Sequence, residues 1–460
     1  METKQKTTLT QGSVARGMLL FALPIFISNL FQQLYNAADS LIVGNFLGGE
    51  ALAAVGSSGS LIFLLTGFVN GVSLGAGVVV ARYFGAKDWD RMRRTIHTTV
   101  ALGLVAGVGL TVIGVILTPQ ILRWMGTPDD VLVNSIAYFR MYFIGSIAVV
   151  MYNVGASILQ SVGDSKSPMR YLIAASLINI VLDPIFIFTL GMGVEGSSLA
   201  TVVSQLCSCV CVTLFFFSRR SLFHFRVREM RIHAARVASI VSLGVTPFVM
   251  TITECAIQVV FNINLNRATG GDRDYTAALT VMLSALQLIV LPLNGLGNGV
   301  QPFVSYNYGK GDEQRLKTGI RYVTIIAFCF CLTIWSVSML VPEMYARLFS
   351  ASGAVTQIVK QYAPQFLMGS IMFFVQMTLQ NVNVALGQAK RALCLAVMRK
   401  VIILIPLCFA LTHFLGFRGV YLSEGIADLV AGIITSIVIF TSFPKVFHQR
   451  ALEVAAQKKV

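Results

Sequence analysis

Twelve continuous apolar runs, each long enough to cross a bilayer, decide what this chain can become. They cover residues 19–43, 52–81, 96–117, 135–159, 171–190, 197–217, 237–265, 277–306, 320–341, 362–386, 392–415 and 420–443. A spanning helix needs roughly 20 apolar residues, because the hydrocarbon layer is about 30 Å thick. Shared among twelve such runs, 460 residues leave room only for short connectors. The runs are continuous rather than alternating, which argues against a β-barrel. Only 12% of residues are charged, about half the share of a soluble domain, so an ordinary water-soluble enzyme is excluded. A disordered chain is excluded too, since that state requires low hydrophobicity. The first run is no signal peptide: it is too long, contains Pro24 and lacks a small-residue cleavage pattern. The expected fold is an all-α membrane protein with twelve transmembrane helices.

The net charge of +15 would elsewhere suggest nucleic acid. Here the basic residues lie between apolar runs. With the N-terminus placed inside, 28 of the 35 Lys and Arg fall in inner loops, Arg399 and Lys400 counted among them. Six fall outside: Arg123, Arg267, Arg273, Arg347, Lys360 and Arg418. Arg140 alone is assigned to a span. This bias orients the chain with both termini cytoplasmic in a cell (plasma) membrane and supports an even number of spans. The charge therefore reads as membrane-lipid contact, with no nucleic-acid partner.

The two halves echo one another. Asn70-Gly71 recurs as Asn294-Gly295, Gly75 as Gly299, Gly85 as Gly309, Asp88 as Asp312 and Arg91 as Arg315. Gly145-Ser146 recurs as Gly369-Ser370, Gly163 as Gly387, Lys166 as Lys390, Pro24 as Pro247. Six spans per half is an even number, so both halves share one orientation, related by an axis along the membrane normal. The reading is two pseudo-symmetric six-helix bundles around a central cavity. They are an N-lobe (1–218), a basic cytoplasmic linker (219–236) and a C-lobe (237–460). That layout suits alternating access in a transporter.

Ionisable groups inside a membrane are costly and seldom kept without use. Asp39, Asp183, Glu254, Glu424 and Asp428 fall inside or at the edge of runs. Asn29, Gln32, Gln33 and Asn36 form one polar stripe on the first run. Asn179 and Asp183 share a helix face, and Pro184 frees a backbone carbonyl beside them. A carboxylate, an amide oxygen and a loosened carbonyl suit a hard cation. A carboxyl in apolar surroundings can also carry a proton, and Asp39 and Asp183 would titrate as a pair if they approached. The second half does not repeat the pair: Asp39 corresponds to Asn262 and Asp183 to Leu407, while Glu254 falls opposite Phe31. Glu424 and Asp428 read as a wet helix end. Phe31, Tyr35, Asn36, Gln258, Met282 and Glu254 are candidates for binding apolar or cationic substrates.

No P-loop, metalloprotease or nucleophile-elbow motif occurs, so neither a nucleotide motor nor an enzyme is expected. No cofactor is expected beyond a coupling ion. The eight cysteines all lie in apolar runs, where they pack as small hydrophobes. The five histidines are scattered, mostly at loops.

Several motifs together resemble one family. They are Tyr35-Asn36-Ala37-Ala38-Asp39 leading to Val43-Gly44, Ala81-Arg82-Tyr83-Phe84-Gly85-Ala86, and Gly163-Asp164-x-Lys166-x-Pro168. Asn179-x3-Asp183-Pro184 and Gly193-x2-Gly196-x3-Ala200-Thr201 complete the set. Over residues 15–445 the chain is similar to prokaryotic multidrug and toxic compound extrusion (MATE) transporters. The resemblance implies a cation-coupled antiporter, using H⁺ or Na⁺, that exports amphipathic and often cationic drugs as a monomer by a rocker-type cycle. It implies an N-lobe cation site of Asp39, Asn179, Asp183 and Thr201, which would be the metal ligands if Na⁺ is the coupling ion. Tyr138 and Asn153 match further members of that site. A C-lobe site of another branch needs an acid on the tenth run. Gln376, Gln380, Asn381 and Asn383 stand there instead, which favours coupling in the N-lobe.

Two other readings compete. A flippase for lipid-linked saccharide precursors would need several basic residues inside the membrane, where only Arg140 is assigned. A non-transporting membrane scaffold would show no ion-dependent flux.

Overall fold

A chain that buries its backbone in hydrocarbon must satisfy every N–H and C=O internally, and a helix does so within one segment. The computed structural model describes residues 13–46, 59–124, 129–218, 225–349 and 352–457. Among them there is helix and no strand. Among the described residues, ten helices are long and apolar enough to cross a membrane, eleven if one bent pair is a single span. The bent pair is Asp129–Ile144 and Ser146–Ser161, broken by 44° at Gly145. The remaining expected run, 362–386, is helical but interrupted. Gly353–Leu367 passes through a tight turn at Met368–Met372 and a wide π-helical turn at Phe374–Leu379 before Gln380–Ala385. Over the described residues, each of the twelve apolar runs thus appears as helix. Several helices overshoot their run, because the hydropathy signal ends at the lipid headgroups and the helix does not. Trp89–Trp124 shows this: a tryptophan stands exposed at each end, as membrane interfaces favour. Val105, Val108, Val112 and Ile116 make an exposed apolar stripe between them.

The chain divides into two compact units. One is Met1–Ala22 with Val249–Val460, and the other is Leu23–Phe248. In the second, Gly59–Gly85 approaches Ala234–Thr269 so closely that a Cβ on Gly71 or Gly75 would strike backbone of Gly244 or Ile240. In the first, Arg273–Lys310 approaches Val14–Phe46, and a Cβ on Gly299 would strike Ala22. Gly75 and Gly299 are repeat partners, so the duplicated sequence builds duplicated close packing.

The loops repeat as well. Asp88 Oδ1 accepts from the Arg91 N–H at 3.0 Å, and Asp312 Oδ1 accepts from the Arg315 N–H at 3.2 Å. Each caps the following helix. Asp312 lies outside the spans. Burial pushes its carboxyl up, but Lys310 and the Arg315 N–H outweigh that and hold it below the usual range. Gly163 and Gly387 both adopt positive φ, at 97° and 72°. One pair has diverged: Gly311 has φ 75°, and its counterpart is Lys87 at φ 58°. A side chain in this left-handed region costs about 1 kcal/mol. Lys87→Gly is therefore expected to raise the thermal unfolding midpoint by about that stability, read by differential scanning fluorimetry in detergent. An unchanged or lower midpoint contradicts it.

One histidine is deeply buried: His97 lies in Trp89–Trp124. Its Nε2 accepts from the Arg226 N–H at 3.1 Å, and its ring stacks on Phe225 at 4.8 Å. Arg93 pairs with Glu229. These contacts tie the end of the basic segment to the helix.

Candidate functional site

Asn179 and Asp183 lie one turn apart in Lys166–Pro184, and both are fully buried. The helix changes character at once. The Ile185 N–H reaches back to the Leu182 carbonyl. Then Ile185–Thr189 winds as a π-helical turn, with the Leu190 N–H on the Ile185 carbonyl at 3.2 Å. Such turns disrupt regular pairing and concentrate at functional sites. Pro184, which lacks an N–H, is the sequence cause.

Asp39 comes to this place from Val14–Phe46 and is itself buried. Its carboxyl lies close enough to that of Asp183 for the two charges to act on each other, and it accepts from the Ser197 hydroxyl. Asn179 Nδ2 donates to Thr201 Oγ1 at 3.3 Å. The helix Val194–Phe217 supplies both hydroxyls, since Ser197 and Thr201 are one turn apart. Among the described residues, neither oxygen of Asp183 nor Oδ1 of Asn179 meets a hydrogen-bond donor. Two carboxylates this close repel, and a proton or cation beside them removes the repulsion. An all-oxygen set of this kind fits a hard cation. Among the described residues there is no cluster of three His, Cys, Asp or Glu side chains of the sort that holds a metal ion.

The four residues Asp39, Asn179, Asp183 and Thr201 are therefore adjacent. Ser197 joins them although the sequence reading passed over it. The i, i+4 spacing of Ser197 and Thr201 was the available signal. Tyr138 is buried beside Phe139 and Tyr142 in an apolar cluster. Asn153 donates to the Val149 carbonyl of its own helix at 2.8 Å. The side chains of Tyr35 and Asn36 lie outside the described residues. Phe31 is half-buried, Gln258 is exposed, and Met282 is fully buried in the core around Phe261, Leu286 and Phe366.

The other unit holds a charge network that corrects two assignments. Arg399 and Lys400 are not loop residues. They sit 5% exposed in a π-helical turn, Met398–Leu404, within the eleventh span. Glu424 and Asp428 are no wet helix end, being 1% exposed. Arg399 Nε meets Asp428 Oδ1 at 2.7 Å, and the guanidinium lies 5.1 Å from the Phe373 ring centre. Lys400 Nζ lies 3.4 Å from Glu424 Oε1 and 3.2 Å from Glu254 Oε1. Gln376 of the interrupted tenth span donates to the Asp428 carbonyl at 2.6 Å. Each pair joins two helices, and Lys400–Glu254 joins positions 146 residues apart, which loop counting cannot detect. The two cations inside the membrane are thereby outnumbered by three acids. Arg140, by contrast, is exposed. A cavity of about 500 Å³ is lined by Tyr83, Arg91, His233 and Arg236 and includes neither Asp39 nor Asp183.

The MatE family model matches residues 24–185 and again 247–410. The two matches start at the paired prolines of the internal repeat. The chain is 32% identical to the probable multidrug resistance protein YoeA of Bacillus subtilis (strain 168), over 70% of its own length and 71% of that protein. It is 24% identical to the multidrug export protein MepA of Staphylococcus saprophyticus, over 96% of each. A solved structure described as MATE in the bent conformation superposes with a TM-score of 0.88 at 25% identity, covering 100% of this chain and 99% of that one. An outward-facing MATE family transporter of the MOP superfamily superposes at 0.87 and 24%, covering all of both chains. Two tandem family matches over most of the chain, on a fold shared with solved MATE structures, establish that this membrane protein belongs to the MatE family.

Proposed function

We propose that this chain is a multidrug efflux transporter of the plasma membrane. It exports amphipathic, often cationic organic compounds in antiport with H⁺ or Na⁺, with both termini cytoplasmic. The supporting observation is the buried Asp39–Asp183 pair, with Ser197 on Asp39 and Asn179 on Thr201. A cation or proton entering from outside binds between the carboxyls and draws the helices carrying them together. Substrate affinity falls in that state, and substrate entering from inside favours cation release. Opposite preferences for the same two conformations are what coupling requires. Rocking of the two halves then exposes the sites alternately. If Na⁺ is the ion, Asp39, Asn179, Asp183 and Thr201 supply its oxygens. The names of the relatives, a multidrug resistance protein and a multidrug export protein, support the substrate class.

The flippase reading gains two buried cations, Arg399 and Lys400. Both are already paired with acids, in a network with one more acid than base. A net negative site suits a cationic substrate and repels a lipid phosphate.

The test is flux in proteoliposomes carrying the purified chain. Ethidium movement is expected to accelerate when either a pH gradient or a Na⁺ gradient is imposed, and to cease when that gradient is collapsed. Ethidium flux that ignores both gradients sinks the antiport reading.

A further inference from the structure

The charge network of Glu254, Arg399, Lys400, Glu424 and Asp428 is not used by the coupling site, and its parts are unequal. Arg399 is committed: its Nε is bonded to Asp428 at 2.7 Å, and its plane rests near Phe373. Lys400 is shared. Its ammonium lies 3.2 Å from Glu254 and 3.4 Å from Glu424, with neither contact short. Glu254 is the one acid of the three that reaches the surface, with its side chain 28% exposed against 2% and 1% for the others. Glu424 Oε2 is buried and meets no donor among the described residues. So the lysine has an acceptor waiting on its inner side, and the glutamate on its outer side is open to an incoming group. A lysine ammonium is a compact point charge on a flexible stem and can shift between such acceptors, whereas a guanidinium holds a fixed fork. Three acids over two bases leave one negative charge, which one monovalent cation balances.

We propose that Lys400 is a tethered counter-ion that occupies Glu254 in place of substrate, and that a monovalent organic cation binds Glu254 by displacing the ammonium onto Glu424. This rests on the transport reading and names where, in the Val249–Val460 unit, the substrate's charge is received. Lys400 is a specificity-determining residue in this scheme. It sets a threshold: only a cation that binds Glu254 better than an amine already held there gains entry. Anions meet a net negative site, and neutral compounds have nothing to displace the ammonium with. The π-helical turn at Met398–Leu404 is what brings Arg399 and Lys400, adjacent in sequence, to the acids of two different helices.

The experiment is equilibrium binding of tetraphenylphosphonium to the purified full chain in detergent. Removing the competitor while keeping net charge requires Lys400→Met with Glu424→Gln. That double variant is expected to bind about tenfold tighter, as when a site occupied nine-tenths of the time by an internal competitor is freed. Adding Glu254→Gln is expected to erase the gain. Lys400→Arg keeps the charge and the folded network, and its fork should hold Glu254 more firmly, weakening binding several-fold. Wild-type affinity in the double variant overturns the proposal. So does a gain that survives Glu254→Gln. If the double variant fails to fold, the Lys400→Arg chain decides, and unchanged or tighter binding there overturns the proposal. Absence of tetraphenylphosphonium binding by the folded wild-type chain would instead remove the transport reading beneath it.

Discussion

Asp183→Asn is expected to abolish gradient-driven ethidium efflux while the protein stays folded. The substitution is nearly isosteric, so the packing around a fully buried position is kept. The amide adds donors where the carboxyl oxygens have none, and it removes the repulsion with Asp39. Stability should therefore hold or rise slightly. What disappears is the ability to take up and release a cation or proton, since an amide neither ionises in this range nor supplies a charge. Ion-dependent flux in proteoliposomes should fall at least about tenfold, the scale of one typical coupling free energy. Binding of tetraphenylphosphonium should persist if Glu254, rather than this pair, receives the substrate's charge. Asp39→Asn should behave alike, and Ser197→Ala more mildly, at about 1 kcal/mol for one hydrogen bond. Wild-type flux from Asp183→Asn would dismiss the pair as the coupling site.

Arg399→Met carries the second large effect, on stability. It leaves Asp428 and Glu424 inside the membrane facing Lys400 alone. Removing one partner of a buried ion pair costs about 3–5 kcal/mol, because the other charge stays desolvated and uncompensated. A marked drop in unfolding midpoint and in the yield of monodisperse protein is expected. Pairing it with Asp428→Leu should recover most of the loss, since well-packed apolar replacements for a buried pair are often neutral. The double variant also restores the network's charge of minus one. A single variant as stable as wild type would show that water or lipid headgroups reach Arg399 after all. A double variant no better than the single would place the loss in packing against Phe373 rather than in charge.

The two acid groups were unequally legible in sequence. Asp39 and the Asn179, Asp183, Thr201 set could be named because motif, helical spacing and Pro184 all pointed to one place. Ser197 escaped because a serine at the start of an apolar run looks like a boundary. The network around Arg399 escaped for a different reason. Basic residues near the end of a run are naturally credited to the nearest loop, and Glu424 with Asp428 to a wet helix end. Their burial depends on one another and on Glu254, far away in sequence. The interrupted tenth span shows the same limit. Its apolar content marked it as spanning, but the tight and wide turns around Phe373 arise where Gly369 and Met372 pack against Asp428 and Gly432.

The sequence by itself determined the membrane-spanning helices, the duplication and the Asp183–Pro184 break. Each of these follows from a free energy a segment carries alone: transfer of about 20 residues into hydrocarbon, or the lost N–H of a proline. Only the tertiary structure decided which charges lie inside. A charge is tolerated in the membrane when helices from distant parts of the chain bring it partners, and that balance exists only once they pack.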